Sequence, residues 1–235
     1  MSERFPERVV LREVSRTFGR SFALHRVSLE LSSSAITAVV GDNGAGKSTL
    51  LNILATVDEP TSGTVAYGGQ RLPAFQRNSR HRIGWISHQS LLYEELTARE
   101  NLEFFARMYG IEDRGWRVDS WLERVGLADD ADRRVRNFSR GMKQRLTIAR
   151  ALIQNPQLLL LDEPATGLDQ QGNEFLIDLL KSLRQRGRII VLVSHDFELL
   201  DGLIDQLVIL RRGTVSYDRG VDPSMGLLEA YRAHA

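Results

Sequence analysis

The order of apolar and polar side chains changes period several times along the chain. Residues 7–13 and 23–31 alternate apolar with polar, the two-residue period of strands that bury one face. Residues 36–40, ITAVV, are instead a continuous apolar run that stops at Gly41, the pattern of a buried strand. The segment LLNILATV, just after GDNGAGKST, reads as a helix, and residues 63–67 and 82–86 read as further strands. From about residue 90 the period becomes helical. In LTARENLEFFARMYG, Thr97 and Glu100 have the spacing of a capping box, and Leu102, Phe105, Ala106 and Tyr109 fall on one stripe. Trp116 to Val125 predicts another helix after a break at Gly115. Apolar strands resume at QLLLLDEP and RIIVLVSHD, and residues 206–211 and 213–218, divided at Gly213, predict a closing hairpin.

This succession predicts a mixed α/β core with a mostly helical lobe inserted between two of its strands. The chain then divides as one domain, 1–235, with a core at 1–89 and 155–218 and a helical subdomain at 90–154. Residues 219–235, with Gly220, Pro223 and Gly226, read as a loosely structured tail. At 235 residues the chain can bury a full core, and 42% hydrophobic with 26% charged residues is ordinary globular composition. The balance of 31 basic and 30 acidic residues leaves a formal charge of +1, so no global field favours nucleic acid or anionic lipid. The absence of cysteine excludes disulfides, thiolate metal sites and cysteine catalysis, and fits a reducing compartment. The charged start MSERFPERVV predicts no secretory signal. No apolar run approaches the roughly 20 residues of a membrane span. Work at a membrane would need spanning segments from another chain.

Residues 41–48, Gly41-Asp42-Asn43-Gly44-Ala45-Gly46-Lys47-Ser48, match the phosphate-loop pattern GxxxxGK[ST] and are followed by Thr49. The match sits between an apolar strand and a helix, the context the chemistry requires. Glycines let successive N–H groups curl around phosphates, and the helix N-terminus adds its dipole. Lys47 is expected to reach the β- and γ-phosphates, and Ser48 to coordinate Mg²⁺. Average residue usage gives this pattern by chance in about one chain in a hundred of this length. Further on, four leucines, Leu158 to Leu161, end in Asp162-Glu163-Pro164. A buried strand that ends in acid delivers carboxylates to the edge where open α/β sheets bind ligands. Asp162 is expected to hold Mg²⁺, directly or through water, and Glu163 to polarise an attacking water.

The ordered set of these two motifs, with Gln89 of WISHQ between them and Gly167-Leu168-Asp169 and His195 of VSHD after them, resembles the nucleotide-binding subunit of ATP-binding-cassette (ABC) transporters. The resemblance runs from about residue 8 to residue 218. It implies a P-loop NTPase fold: a RecA-like core, an antiparallel β subdomain and an inserted α-helical subdomain. It also implies ATP and Mg²⁺ as ligands, and head-to-tail dimers that sandwich two ATP molecules. Phe18, in RTFGR, would stack on adenine. Gly41, Asn43, Gly44, Ala45, Gly46, Lys47, Ser48 and Thr49 would bind the phosphates. Ser48, Gln89 and Asp162 would serve the metal. Gln89 would also sense the attacking water, His195 would contact the γ-phosphate, and Asp169 would couple the two sites across the dimer.

The family's signature, usually LSGGQ, falls on Phe138-Ser139-Arg140-Gly141-Met142 in RNFSRGMKQR, and three of its five positions depart. Ser139 and Gly141 remain, and they are the groups expected to meet the partner's γ-phosphate. A phosphate near the backbone explains glycine in the first turn of a helix, where it is otherwise poor material. Arg140 adds a charge that can pair with phosphate or with the opposing subunit. WISHQ and the lobe sequence are similar to ATPases of cytochrome c biogenesis haem exporters, and to those of drug, lipid or polysaccharide exporters with separate membrane subunits. This implies an ATPase on the cytoplasmic face of a membrane, bound to a separate permease and paired with an identical or paralogous chain. Leu91, Leu92, Tyr93, Phe105 and Met108 are expected to line the permease groove, unless they form the core of the lobe itself. A soluble ABC ATPase of DNA repair or translation would usually carry tandem cassettes or a long coiled coil; this chain has neither, and no basic stripe for nucleic acid. A non-hydrolysing regulatory module would predict loss of Glu163 or His195, and both are present.

Overall fold

The structure is a computed structural model that describes residues 7–68, 70–71, 80–87, 90–221 and 226–234. Two sheets form the core. A six-stranded sheet has the order β10-β9-β3-β8-β7-β6, from Thr214–Gly220, Gln206–Arg211, Ala35–Val40, Ile189–Val193, Leu158–Asp162 and Ile83–Ile86. Its strands run parallel except for β10, which pairs antiparallel with β9. A four-stranded antiparallel sheet has the order β2-β1-β4-β5, from Ser21–Ser32, Arg8–Phe18, Ser62–Tyr67 and Gln70–Arg71.

The continuous apolar runs are explained by the pleat. Successive side chains of a strand point to opposite faces, so a strand covered on both faces must be apolar throughout. Ile36, Ala38 and Val40 join the same apolar cluster as Leu159, Leu161, Ile190 and Leu192. Their neighbours Val39, Leu158, Leu160, Ile189, Val191 and Val193 join a second cluster, with α1 (Lys47–Leu54) and the antiparallel sheet. The first cluster holds α5 (Gln170–Gln185) and the helical insertion. Tyr67, at 1% exposure, ties the antiparallel sheet to α1, its hydroxyl donating to the Leu54 carbonyl at 2.8 Å.

The insertion contains α2 (Ala98–Met108), α3 (Arg114–Arg124) and α4 (Arg140–Leu152). The capping box is formed: the Glu100 N–H donates to Thr97 Oγ1 at 3.1 Å, and the Thr97 N–H donates to Glu100 Oε2 at 2.8 Å. Leu102, Phe105 and Ala106 are buried, as the stripe predicts. Gly115 does not break the chain; it lies in the first turn of α3, and the break falls at Gly110, whose φ of +67° ends α2. Residues after 218 also differ from the expected loose tail. β10 continues to Gly220, and Leu227–His234 forms a helix, α7. Leu227 and Ala230 of α7 are buried in the first cluster. The remaining short helix, α6, is Phe197–Leu200.

Removing the cap hydroxyl strands one backbone donor of α2. Thr97→Ala is expected to lower stability by about 1 kcal/mol in urea denaturation without altering ATP affinity.

Candidate functional site

The parallel register brings three chain segments to one sheet edge. Val39 of β3 pairs with Val193 of β8, and Val193 pairs with Asp162 of β7. The phosphate loop therefore leaves β3 beside the acidic end of β7 and the segment after β8. Together they wall a cleft of about 750 Å³. Of the residues expected to bind nucleotide, Phe18, Gly41, Asn43, Gly44, Gly46, Lys47, Ser48 and Thr49 line it. So do Asp162, Glu163 and His195. Ala45 is buried behind the loop at 4% exposure, where its carbonyl accepts from the Gly213 N–H at 2.9 Å. Gln89 lies outside the described residues.

Two of the three loop glycines, Gly41 and Gly46, are dictated by space as well as by ligand access. Gly46 caps α1 at φ +107°, and a Cβ there would sit 2.5 Å from the Ala23 carbonyl oxygen. Gly41 has φ +149°, and a Cβ would sit 2.2 Å from the Leu210 carbonyl oxygen. Lys47 Nζ donates to the carbonyls of Gly41 at 2.5 Å and Asp42 at 3.0 Å, which folds the ammonium over its own loop. Phe18 is 54% exposed, so it is a cleft wall rather than a core side chain, and the Arg16 guanidinium lies 4.8 Å from its ring centroid.

Glu163 has φ +50°, a left-handed conformation that side-chain-bearing residues rarely adopt. Its N–H donates to the Val193 carbonyl at 2.9 Å, which holds this turn one step past the end of β7. Its carboxylate Oε1 lies 2.7 Å from His195 Nδ1, a contact the sequence did not foretell. The imidazole is otherwise exposed (85% of the side chain). With Nδ1 engaged, Nε2 is the nitrogen left to meet a ligand.

Ser139, Gly141 and Asp169 do not join this cleft. Ser139 is the exposed N-cap of α4, and its Oγ accepts from the Met142 N–H at 3.2 Å. The hydroxyl proton is left to donate outward. Gly141 lies close to the loop after β7: a Cβ on it would be 3.1 Å from the Gly167 carbonyl oxygen. Asp169 caps its own helix, α5, accepting from the Gly172 N–H at 2.8 Å. Arg140 lies along Gly167, where its Cγ is 2.7 Å from the place a Cβ would occupy, and Met142 packs on the first cluster. Gln144 Nε2 donates to the Pro164 carbonyl at 2.7 Å, tying α4 to the residue after Glu163.

A second cleft, of about 430 Å³, separates the insertion from the core. Leu91, Phe105 and Met108 line it, whereas Leu92 packs on the first cluster. Tyr93 is half-exposed, and its ring stands 4.9 Å from that of Phe104. Behind the cleft, Arg150 is 5% exposed and donates to the Trp85 carbonyl at 2.8 Å; burial lowers its pKa from the usual guanidinium range. The sequence also missed Tyr231 of α7, which lines the first cleft. The i, i+3, i+4 spacing of Leu227, Ala230 and Tyr231 was the available signal.

A phosphate loop and a strand-end acid at the same edge of a parallel sheet define a P-loop nucleotide-binding protein. The comparisons with known proteins fix the family. The ABC transporter family model matches residues 24–166. The Nod factor export ATP-binding protein I of Burkholderia lata is 36% identical over 204 residues, 86% of this chain and 67% of that protein. The ABC transporter ATP-binding protein NatA of Bacillus subtilis is 34% identical over 198 residues, 83% of this chain and 80% of that protein. A solved ATP-binding subunit of an ABC transporter superposes with a TM-score of 0.84 at 29% identity, covering 91% of this chain and 90% of that one. A dimeric bacterial ABC transporter cassette superposes with a TM-score of 0.83 at 30% identity, covering 91% and 99%. The chain belongs to the ABC transporter family and is its ATP-binding, ATP-hydrolysing subunit. Among the described residues no helix is long and apolar enough to cross a membrane.

Gly46→Ala is expected to abolish binding of a fluorescent ATP analogue and to lower stability by roughly 1–3 kcal/mol, because the new Cβ meets backbone and the φ is left-handed. Calorimetric melting and nucleotide titration check both effects.

Proposed function

We propose that this chain is the motor subunit of an ABC exporter, and that two copies, or one copy and a paralogue, close around two ATP molecules. The observation that carries the proposal is the division of the site. Phosphate loop, Asp162, Glu163 and His195 share one cleft, while Ser139 and Gly141 present an exposed helix N-terminus away from it. A second subunit supplies Ser139 and Gly141 to the γ-phosphate, through a hydroxyl proton and a backbone N–H at that helix end. Support for such pairing comes from the similar cassettes solved as dimers, one of them in a post-hydrolysis state bound to ADP and Pi.

In this mechanism Lys47 leaves its loop carbonyls for the β- and γ-phosphates, and Phe18 stacks on the base. Ser48 and Asp162 offer hard oxygen donors suited to Mg²⁺, which keeps several waters and binds phosphate oxygens. Among the described residues no group of three or more His, Cys, Asp or Glu is placed to hold a metal ion. When bound, the ion neutralises charge on the β- and γ-phosphates. Glu163 polarises the attacking water, and His195, as the imidazolium, holds the carboxylate through Nδ1–H while its Nε2–H donates to the γ-phosphate. Asp169, at the mouth of α5, faces the second subunit and couples the two sites. Hydrolysis then reopens the pair, and the opening moves a membrane permease.

The cleft lined by Leu91, Phe105 and Met108 is the proposed permease dock. Export is favoured by the relatives named for Nod factor export; the likeness to haem-exporter ATPases names another cargo class, and the permease selects between them. The protein then works on the cytoplasmic face of a membrane, held there by the permease, without nucleic acid.

Lys47→Ala is expected to abolish ATP binding. Glu163→Gln is expected to bind ATP normally yet hydrolyse it roughly 10²–10⁴-fold more slowly, as phosphate release shows. Unchanged turnover in Glu163→Gln would remove the carboxylate from the mechanism. Leu91→Asp combined with Met108→Asp alters two exposed side chains and is expected to release the protein from detergent-washed membranes that retain the wild type. Retention of the double variant would move the dock elsewhere.

A further inference from the structure

The C-terminal helix reaches into the nucleotide cleft. Leu227 and Ala230 seat α7 in the first apolar cluster, and Tyr231 follows on the same face. The Tyr231 ring lies 5.3 Å from that of Phe197, two residues after His195. Its hydroxyl donates to Asp42 Oδ1 at 3.0 Å, across 189 positions of sequence. One side chain thus touches the second residue of the phosphate loop and the helix that follows the expected switch histidine.

Asp42 is the discordant charge of the loop. The donors of the loop suit an anion: backbone N–H groups, a helix N-terminus and the Lys47 ammonium. An exposed carboxylate in that loop repels the same phosphates. A phenol is a fitting restraint, because its bond to a carboxylate is charge-assisted and adds no charge of its own. Desolvation, the bond to Asp42 and the charge of that carboxylate raise the Tyr231 pKa, so the phenol keeps its proton and remains a donor.

We propose that Tyr231 is a positioning residue of the nucleotide site, restraining the Asp42 carboxylate through its hydroxyl and tying the phosphate loop to the His195 segment through its ring. The proposal rests on reading the cleft as the ATP site. It makes the seat of the C-terminal helix part of nucleotide affinity rather than of the core alone.

Tyr231→Phe keeps the ring and removes the donor. It is expected to raise both the Kd of a fluorescent ATP analogue and the KM for ATP by roughly threefold to tenfold, with kcat within about twofold of wild type. In an Asp42→Asn background the same substitution is expected to change neither Kd nor KM, since no carboxylate remains to be restrained. Lys47→Ala measured alongside reports on the cleft itself: if its affinity matches wild type, the ATP-site reading fails, not only the role of Tyr231. With Lys47→Ala inactive in binding, wild-type affinity in Tyr231→Phe overturns the proposal. A penalty that persists in the Asp42→Asn background also overturns it. So does a lowered Tm with no change in KM, which is the mark of packing alone.

Discussion

The backbone ladder that pairs β3 with β8 and β8 with β7 sets Val39, Val193 and Asp162 in one row. That row decides where the phosphate loop begins, where the first acid emerges and where the histidine segment begins. The ladder is held in turn by the pleat, since each of these strands divides its side chains between two apolar clusters. A shift of one residue in any strand would exchange the faces and move Asp162 away from the loop. The chemistry of the cleft therefore depends on apolar packing on both sides of a single sheet.

From this edge the structure extends toward the insertion. Gln144 of α4 holds the Pro164 carbonyl, and Arg140 lies on Gly167. The helix that presents Ser139 is thus bound to the same loop that carries Glu163. The same helix carries Arg150, which lines the second cleft. These contacts run without a gap from the loop of Glu163, whose backbone is left-handed, to the cleft proposed as the permease dock.

Much of this was legible in the chain. The buried strands announce themselves as short apolar runs that end at Gly41 and Asp162, and the phosphate loop has a fixed length with chemistry at fixed offsets. The capping box of α2 is equally local. What escaped was non-local or overridden by packing. Glycine's poor helix propensity predicts a break at Gly115, yet helix ends tolerate glycine and the left-handed turn falls at Gly110. The glycine- and proline-bearing stretch after 218 hid the short amphipathic helix behind it, and hence Tyr231. The Glu163–His195 contact joins residues 32 apart, which no spacing rule anticipates. The seat of the Arg140 stem along Gly167 is likewise non-local, and it leaves the role of the charge itself open to phosphate or a partner.

The most direct test of the divided site is the size of Glu163→Gln in solution, by size-exclusion chromatography with light scattering, with and without ATP and Mg²⁺. The 26.6 kDa chain is predicted to elute as a monomer without nucleotide and to double in mass with it, because closure then proceeds while cleavage does not. A monomer under both conditions, with ATP bound, would contradict closure between two copies of this chain and assign Ser139 and Gly141 to a site completed by a different subunit.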